Sequence, residues 1–324
     1  MELRRLQKTP DGTFFVTLPK TWVSRFNLDR GAVLGFVEGK DGRLIVGPYG
    51  EAERKVSSVV LSPSPLLERE IEERYLLGFD VIQIESGEVI NSEVRDHVKA
   101  TVKRLVGLEI VEEDSRRIVL QCLIEPSMLI PERMVRRIHA ITLAMQKDAL
   151  SAIMQEDAKL ANSVIERDDE VDRMYFLLVR LLRAAIIDIS ISERLGTPPI
   201  DCLDDRLLAG FMESFGDYSV IIGESALGLV GKKVATDVLA KLVRIGETIQ
   251  GMYRDAVLAV LSRNLKLASS ITTPHDEARQ LLRDSEKNLA TLPRDVVERM
   301  TSVVMALNRM CELCIDIADL TVTR

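Results

Sequence analysis

From residue 131 to the end of the chain, apolar residues recur at the three- and four-residue spacing of an α-helix. Proline and glycine are sparse within these periodic segments, and the Gly-Thr-Pro-Pro stretch at residues 196–199 predicts the main loop. Residues 1–125 differ, because short apolar runs alternate there with turn residues. The pattern therefore predicts a multidomain α+β protein whose larger part is all-α.

The helical part contains an internal repeat. A shift of 107 positions lays residues 138–164 over residues 245–271 without a gap. The identical pairs include Ile138/Ile245, Met145/Met252, Asp148/Asp255, Ala149/Ala256, Ala152/Ala259, Lys159/Lys266, Leu160/Leu267, Ala161/Ala268 and Ser163/Ser270. Such a duplication predicts two tandem three-helix bundles, residues 130–229 and 230–324. We expect each bundle to bury its apolar helix faces independently of the other.

Two smaller domains are predicted before the helices. Residues 1–50 contain short strands around turns, with a turn at residues 9–12, a short helix at residues 20–26 and a hairpin around Asp41-Gly42. Residues 54–126 follow the order βαβαββ and predict a small ferredoxin-like α/β unit or a variant of it. This unit has no visible nucleotide-binding or catalytic motif, which favours a connector or a dimerising module.

The first bundle holds two pairs of carboxylates. Asp168 and Asp172 stand four residues apart, as do Glu213 and Asp217, so each pair lies on one face of its helix. If those faces meet, four carboxylates converge, and a bound cation or raised pKa values must offset their repulsion. Ligation by oxygen alone suits hard cations such as Mg²⁺, Mn²⁺ or ferric iron. The alternative is an ordinary solvated surface.

The motifs around these residues resemble the PhoU family of phosphate-uptake regulators. The resemblance rests on residues 161–172, which end in Glu-Arg-Asp-Asp-Glu-Val-Asp, on the Glu-Ser-Phe-Gly-Asp stretch at residues 213–217, and on the duplication. It implies a fold of two three-helix bundles and a cluster of hard divalent or ferric cations (Fe, Mn, Mg or Zn). It also implies control of phosphate uptake through a transporter or a signalling partner.

The second bundle departs from the family pattern. At the shift of 107, Asp168 and Asp172 become His275 and Arg279, and Asn308 stands four residues before Glu312 where the family has an acid. An arginine cannot ligate a cation. We therefore expect the second metal site to be lost, and His275, which follows a proline, to be a capping or surface residue.

The N-terminus resembles the AbrB/SpoVT swapped-hairpin DNA-binding domain. The matching features are Leu6-Gln-Lys8-Thr, the strand at residues 13–17, Leu18-Pro19-Lys20-x-Trp22, Leu28-x-x-Gly31 and a closing hairpin. The family forms an intertwined homodimer whose β-barrel one chain cannot close alone. The resemblance implies DNA contacts from basic residues, here Arg4, Arg5, Lys8, Lys20 and Arg25. The alternative is a dimerisation module without a nucleic-acid face.

Charge and cysteine content modify this picture only slightly. The net charge is −7, but residues 1–47 hold eight Lys or Arg against five acids, a net charge of +3. A basic N-terminus on an acidic body is compatible with a polyanion partner. The four cysteines lack disulfide-like spacing, and Cys311 and Cys314 lie within an apolar helical run, which favours core packing over metal or redox chemistry. With no signal peptide or membrane span predicted, we expect a cytoplasmic protein that is not integral to a membrane.

These features predict a regulator of phosphate homeostasis that combines a DNA-binding homodimer with a metal-binding sensor. The alternative is an adaptor that does not bind DNA and restrains a phosphate transporter or its signalling partner at the membrane face. An enzyme is not expected. A di-iron carboxylate oxidase needs Glu-x-x-His pairs, and none of the three histidines (His97, His139, His275) has Glu three residues before it.

Overall fold

The computed structural model describes residues 3–38, 42–48, 56–125, 128–289 and 292–322. Its internal contacts divide the chain into two compact units, Met1–Val56 and Ser57–Arg324. None of the helices described has an apolar stretch long enough to span a lipid bilayer.

The first unit contains two β-hairpins and a short helix. Its elements are β1 (Gln7–Lys8), β2 (Phe14–Phe15), α1 (Lys20–Arg25), β3 (Leu34–Glu38) and β4 (Leu44–Pro48). The predicted first turn is confirmed by a hydrogen bond from the Gly12 amide to the Thr9 carbonyl, whereas Asp41 of the second turn lies outside the described residues. β1–β2 and β3–β4 form separate two-stranded sheets, so the described part of one chain does not itself form the predicted barrel.

The second unit begins with a four-stranded sheet and two helices. These are β5 (Ser58–Leu61), α2 (Leu67–Leu76), β6 (Val81–Glu85), α3 (Ser92–Arg104), β7 (Leu108–Glu113) and β8 (Arg117–Cys122). The predicted βαβαββ order is confirmed, but the sheet order β5-β6-β8-β7 is not that of a ferredoxin-like sandwich. In that fold a strand separates the two parallel strands of a βαβ unit, whereas α2 here returns the chain so that β6 pairs directly with β5.

The remainder is helical. Its helices are α4 (Pro131–Gln155), α5 (Ala158–Ile187), α6 (Ile189–Leu195), α7 (Asp201–Leu229), α8 (Thr236–Ser262), α9 (Leu265–Ser269), α10 (Thr272–Leu289) and α11 (Arg294–Asp319). The internal repeat extends to the backbone, since α4 and α8 end at left-handed residues 107 positions apart, Glu156 (φ 52°) and Arg263 (φ 53°). The next residue in each copy, Asp157 or Asn264, caps the following helix with its side-chain oxygen.

The two bundles share one hydrophobic core, so the expectation that they bury their apolar faces independently is wrong. Buried apolar residues from Met134 to Ala318 form a single cluster. The ring of Tyr253 on α8 stacks on Phe215 of α7 at 3.8 Å, and its hydroxyl lies 2.8 Å from the Thr142 hydroxyl on α4. The helical repeat is therefore built as one packed body.

A buried arginine joins the sheet region to the helices. Arg180 of α5 is 3% exposed, and its guanidinium donates to the carbonyl of Tyr75 at 2.5 Å and to that of Gly78 at 3.4 Å. These carbonyls lie at the C-terminal end of α2, where the helix dipole favours a cation. The guanidinium also lies 4.9 Å from the Tyr75 ring. α2 is thereby fixed against α5.

Candidate functional site: a carboxylate cluster between two helices

The four predicted ligands lie on α5 and α7, which pack against each other. Gly216 of α7 is buried beside Asp168. A Cβ atom at this glycine would lie 3.4 Å from Thr142 Cγ2 and 3.6 Å from Asp168 Oδ1, which is ordinary van der Waals contact. The Asp168 carboxylate therefore packs directly against the backbone of α7.

Burial raises the pKa of all four carboxyls, and repulsion between neighbouring carboxylates adds to the effect. Burial, then Asp172 and Asp217, raise the pKa of Asp168 to about 7. Burial and the other three carboxylates likewise raise the pKa of Glu213 to about 7. The pKa values of Asp172 and Asp217 are raised chiefly by burial. The structure therefore brings the four side chains into one electrostatic cluster.

The donor chemistry of this cluster fits a hard cation. Asp168 Oδ1 is buried and has no hydrogen-bond partner in the structure. A buried oxygen without a partner is available to bind a cation. As the side chains stand, no three His, Cys, Asp or Glu residues in the described part of the chain are grouped closely enough to hold an ion. Rotation of side chains toward a common centre would be needed to complete a ligand shell.

Other residues near the cluster were not predicted from the sequence. Tyr175 of α5 lies near Glu213 and Asp172, which contribute to raising its pKa after burial, and the Arg206 guanidinium lies 4.9 Å from its ring. Arg104 of α3 reaches Asp172 from the sheet region, with 3.8 Å between Nη2 and Oδ2. No short motif marks these residues, because contacts between distant segments create their roles.

A cavity lies beside the cluster rather than on it. Its volume is about 730 Å³, and its lining includes Glu166, Asp169 and Arg173 of α5 together with Met134 of α4. None of the four predicted ligands lines it. The carboxylate cluster is thus a surface between helices and not the floor of this cavity.

In the second bundle, an ion-pair cluster occupies the equivalent position. Arg279 Nε lies 3.3 Å from Glu312 Oε1, and His275 Nε2 lies 3.6 Å from Glu312 Oε2. Asn308 lies one helical turn before Glu312 on α11. The expectation that His275 is a capping or surface residue is wrong, since it is 7% exposed and follows Pro274 within the first turn of α10. Arg279 thus places a positive charge where the first bundle has the carboxylate of Asp172.

The remaining predicted residues lie as follows. Arg4, Arg5, Lys8, Lys20 and Arg25 are all exposed on the first unit. Lys8 Nζ lies 5.2 Å from the Phe14 ring. Cys311 and Cys314 are free thiols at 0% exposure, and burial raises the pKa of Cys311 to about 12, which agrees with core packing rather than reactivity.

Comparison with known proteins supports the helical part of this description. Residues 135–226, which include all four carboxylates, match the PhoU domain model. Two crystal structures share the fold. PhoU from Pseudomonas aeruginosa is 19% identical, with a TM-score of 0.52, and the match covers 59% of this chain and 93% of that chain.

The second structure is the phosphate transport system regulatory protein PhoU from Streptococcus pneumoniae. It is 18% identical, with a TM-score of 0.50, over 59% of this chain and 91% of that chain. At sequence identities of 19% and 18%, the similarity establishes only the fold of the matched part of the chain. No curated protein matches the chain significantly in sequence.

Proposed function

We propose that the chain regulates phosphate uptake, with the first bundle as a cation-binding sensor and the N-terminal unit as a homodimeric DNA-binding module. The observation that supports this proposal is the burial of four electrostatically interacting carboxylates inside the PhoU-domain match. The proteins that share the fold are PhoU proteins, and one is described as a phosphate transport regulator. The protein acts in the cytoplasm through a phosphate transporter or its signalling partner.

The cation has an electrostatic role at this site. Asp168, Asp172, Glu213 and Asp217 would hold a hard divalent or ferric ion, Fe, Mn, Mg or Zn. The ion would offset the burial and the repulsion that together raise the pKa of Asp168 and Glu213, and it would keep all four groups ionised. Binding would thereby stabilise the contact between α5 and α7. In the second bundle, Arg279 provides this neutralisation internally, so we propose one such site per chain.

Exposed apolar side chains support homodimerisation of the N-terminal unit. Among residues 3–48, every residue whose solvent exposure the structure describes is partly or fully exposed. Phe14 and Val33 are each 61% exposed, Leu44 is 59% exposed and Val16 is 49% exposed. Apolar surface of this density ordinarily marks an interaction site. A second chain would cover this surface by exchanging strands. The exchanged strands would also complete the β-barrel that β1–β2 and β3–β4 of one chain do not form.

DNA binding is tested by its salt dependence. If about three of Arg4, Arg5, Lys8, Lys20 and Arg25 per chain neutralise phosphates, a dimer loses on the order of 10³-fold in affinity between about 50 and 200 mM salt. Substituting Arg5→Ala together with Lys8→Ala should reduce the slope of log affinity against log salt by about 3 to 4. Mobility shifts and fluorescence anisotropy measure this slope on DNA fragments from upstream of the protein's own gene.

The matched control removes two exposed basic residues elsewhere, Arg194→Ala with Lys241→Ala, and should leave the slope unchanged. Equal slopes for both double variants would show that Arg5 and Lys8 do not contact the phosphates. If the unmodified protein shifts no fragment even at low salt, the DNA role is rejected and the adaptor function, which restrains a transporter without DNA, replaces it.

A further inference from the structure

Arg104 links the sheet region to the carboxylate cluster. It is the last residue of α3, and its guanidinium lies between carboxylates of two other helices. Nη1 is 3.1 Å from Glu72 Oε1 on α2, and Nη2 is 3.8 Å from Asp172 Oδ2 on α5. The guanidinium carbon lies 5.9 Å from the ring of Phe176, one turn further along α5. Arg104 thus contributes positive charge to a site whose other members all come from the bundle.

The two contacts of Arg104 differ in strength. The pair with Glu72 is at hydrogen-bonding distance, whereas the pair with Asp172 is a longer electrostatic contact. α2, which carries Glu72, is held to α5 by the buried Arg180. Arg104 can therefore leave Asp172 without losing its anchor on Glu72 and without moving α2.

We infer that Arg104 neutralises the charge of Asp172 in the metal-free protein and that a metal ion bound by the cluster displaces Arg104. The inference rests on the proposed cation site. A guanidinium close to Asp172 repels a dication at the same carboxylates and competes for the same oxygen. Displacement shifts Arg104 toward Glu72, so the last turn of α3 changes its contacts when the site fills. Because coupling is reciprocal, the sheet region both lowers the affinity of the site and senses its occupancy.

The first test is calorimetric titration of the full chain with Mn²⁺. Arg104→Gln should bind Mn²⁺ about three- to tenfold more tightly than the unmodified protein, since it removes both the competitor and the repulsion. Lys103→Gln is the control, because it removes the same charge from the adjacent exposed position. Its effect should stay within about twofold, as for an unpaired surface charge.

Three other results would reject the inference in distinguishable ways. Equal Mn²⁺ affinities for Arg104→Gln and Lys103→Gln would be consistent with the cation site but would show that Arg104 does not compete with the metal ion. Weaker binding by Arg104→Gln would show that Arg104 positions Asp172 for ligation instead of competing for it. Absence of Mn²⁺ binding in all three proteins would reject the proposed cation site and this inference with it.

The second test follows hydrogen exchange in the last turn of α3. Saturating Mn²⁺ should accelerate exchange there in the unmodified protein, because Arg104 gives up one of its two partners. Arg104→Gln should show no such change on adding Mn²⁺. If exchange in this turn does not respond to Mn²⁺ in the unmodified protein, the sheet region does not sense the site.

Discussion

Asp168 lies in an environment that disfavours its own charge. Its Oδ1 is buried without a hydrogen-bond partner, and burial, together with Asp172 and Asp217, raises its pKa to about 7. The folded-state pKa is thus above the unfolded value of about 4. The stabilising contribution of the protonated carboxyl is complete below about pH 4 and is lost as the pH rises through about 7.

The substitution Asp168→Asn should therefore raise the Tm at about pH 8 by a few degrees when a chelator is present. At about pH 4 the two proteins should melt together, because Asp168 is protonated there. Thermal unfolding across this range measures the difference. Glu166→Gln, which removes an exposed carboxylate on the same helix, is the control and should give no pH-dependent difference. A pH-independent effect of Asp168→Asn would show that the charge of Asp168, disfavoured by burial and by repulsion, is not the cause.

At this scale the sequence predicted part of the site. The i,i+4 spacing correctly placed two carboxylates on each helix, because helical geometry alone fixes that relation. Arg104 could not be predicted, since its contact with Asp172 spans 68 positions and depends on how α3 lies against α5. The burial of His275 was missed because Pro274 indicated a loop, although proline is tolerated in the first turn of a helix.

At the scale of elements, one buried side chain, Arg180, contributes polar contacts between α2 and α5. Arg180→Met keeps most of the volume but removes the donors to the carbonyls of Tyr75 and Gly78. We expect it to lower the free energy of unfolding by about 1–3 kcal/mol, since polar groups lose buried partners. Urea unfolding measures the loss, and hydrogen exchange in α2 locates it.

Arg183→Met is the matched control, because Arg183 is exposed on the same helix and its change should stay within about 0.5 kcal/mol. Equal losses for the two variants would mean that Arg180 contributes no more than a surface arginine, and that α2 is held by apolar packing alone.

Helix ends are determined locally, whereas sheet pairing is not. Asn91 caps α3 by accepting a hydrogen bond from the Val94 amide, and Gly78 and Gly107 follow α2 and α3 with φ of 90° and 73°. These features are local and therefore visible in the sequence. The order β5-β6-β8-β7 and the common core of the two bundles arise from long-range packing. Local periodicity identifies such elements but does not determine their neighbours.

At the scale of the whole molecule, the first unit should determine the oligomeric state. Light scattering after size-exclusion chromatography should give twice the chain mass of 36.3 kDa, or a multiple of that dimer. Phe14→Asp with Val33→Asp should reduce the mass to that of one chain, because charges replace apolar side chains that are 61% exposed in the single chain. Val89→Asp, which changes a valine that is 67% exposed in the second unit, is the control and should remain dimeric. A stable monomer of the unmodified protein at micromolar concentration would contradict the proposed strand exchange.

The central claim is that the first bundle holds a cation and the second does not. Elemental analysis of the purified chain by mass spectrometry, after equilibration with Fe, Mn, Mg and Zn, tests it most directly. Asp172→Ala with Asp217→Ala should lose the bound metal, because the remaining two carboxylates cannot complete the ligand shell. His275→Ala with Glu312→Ala, the equivalent change in the second bundle, should retain it in full. Equal metal content in the unmodified protein and the Asp172/Asp217 variant would show that these carboxylates are an ordinary solvated surface and would contradict the claim.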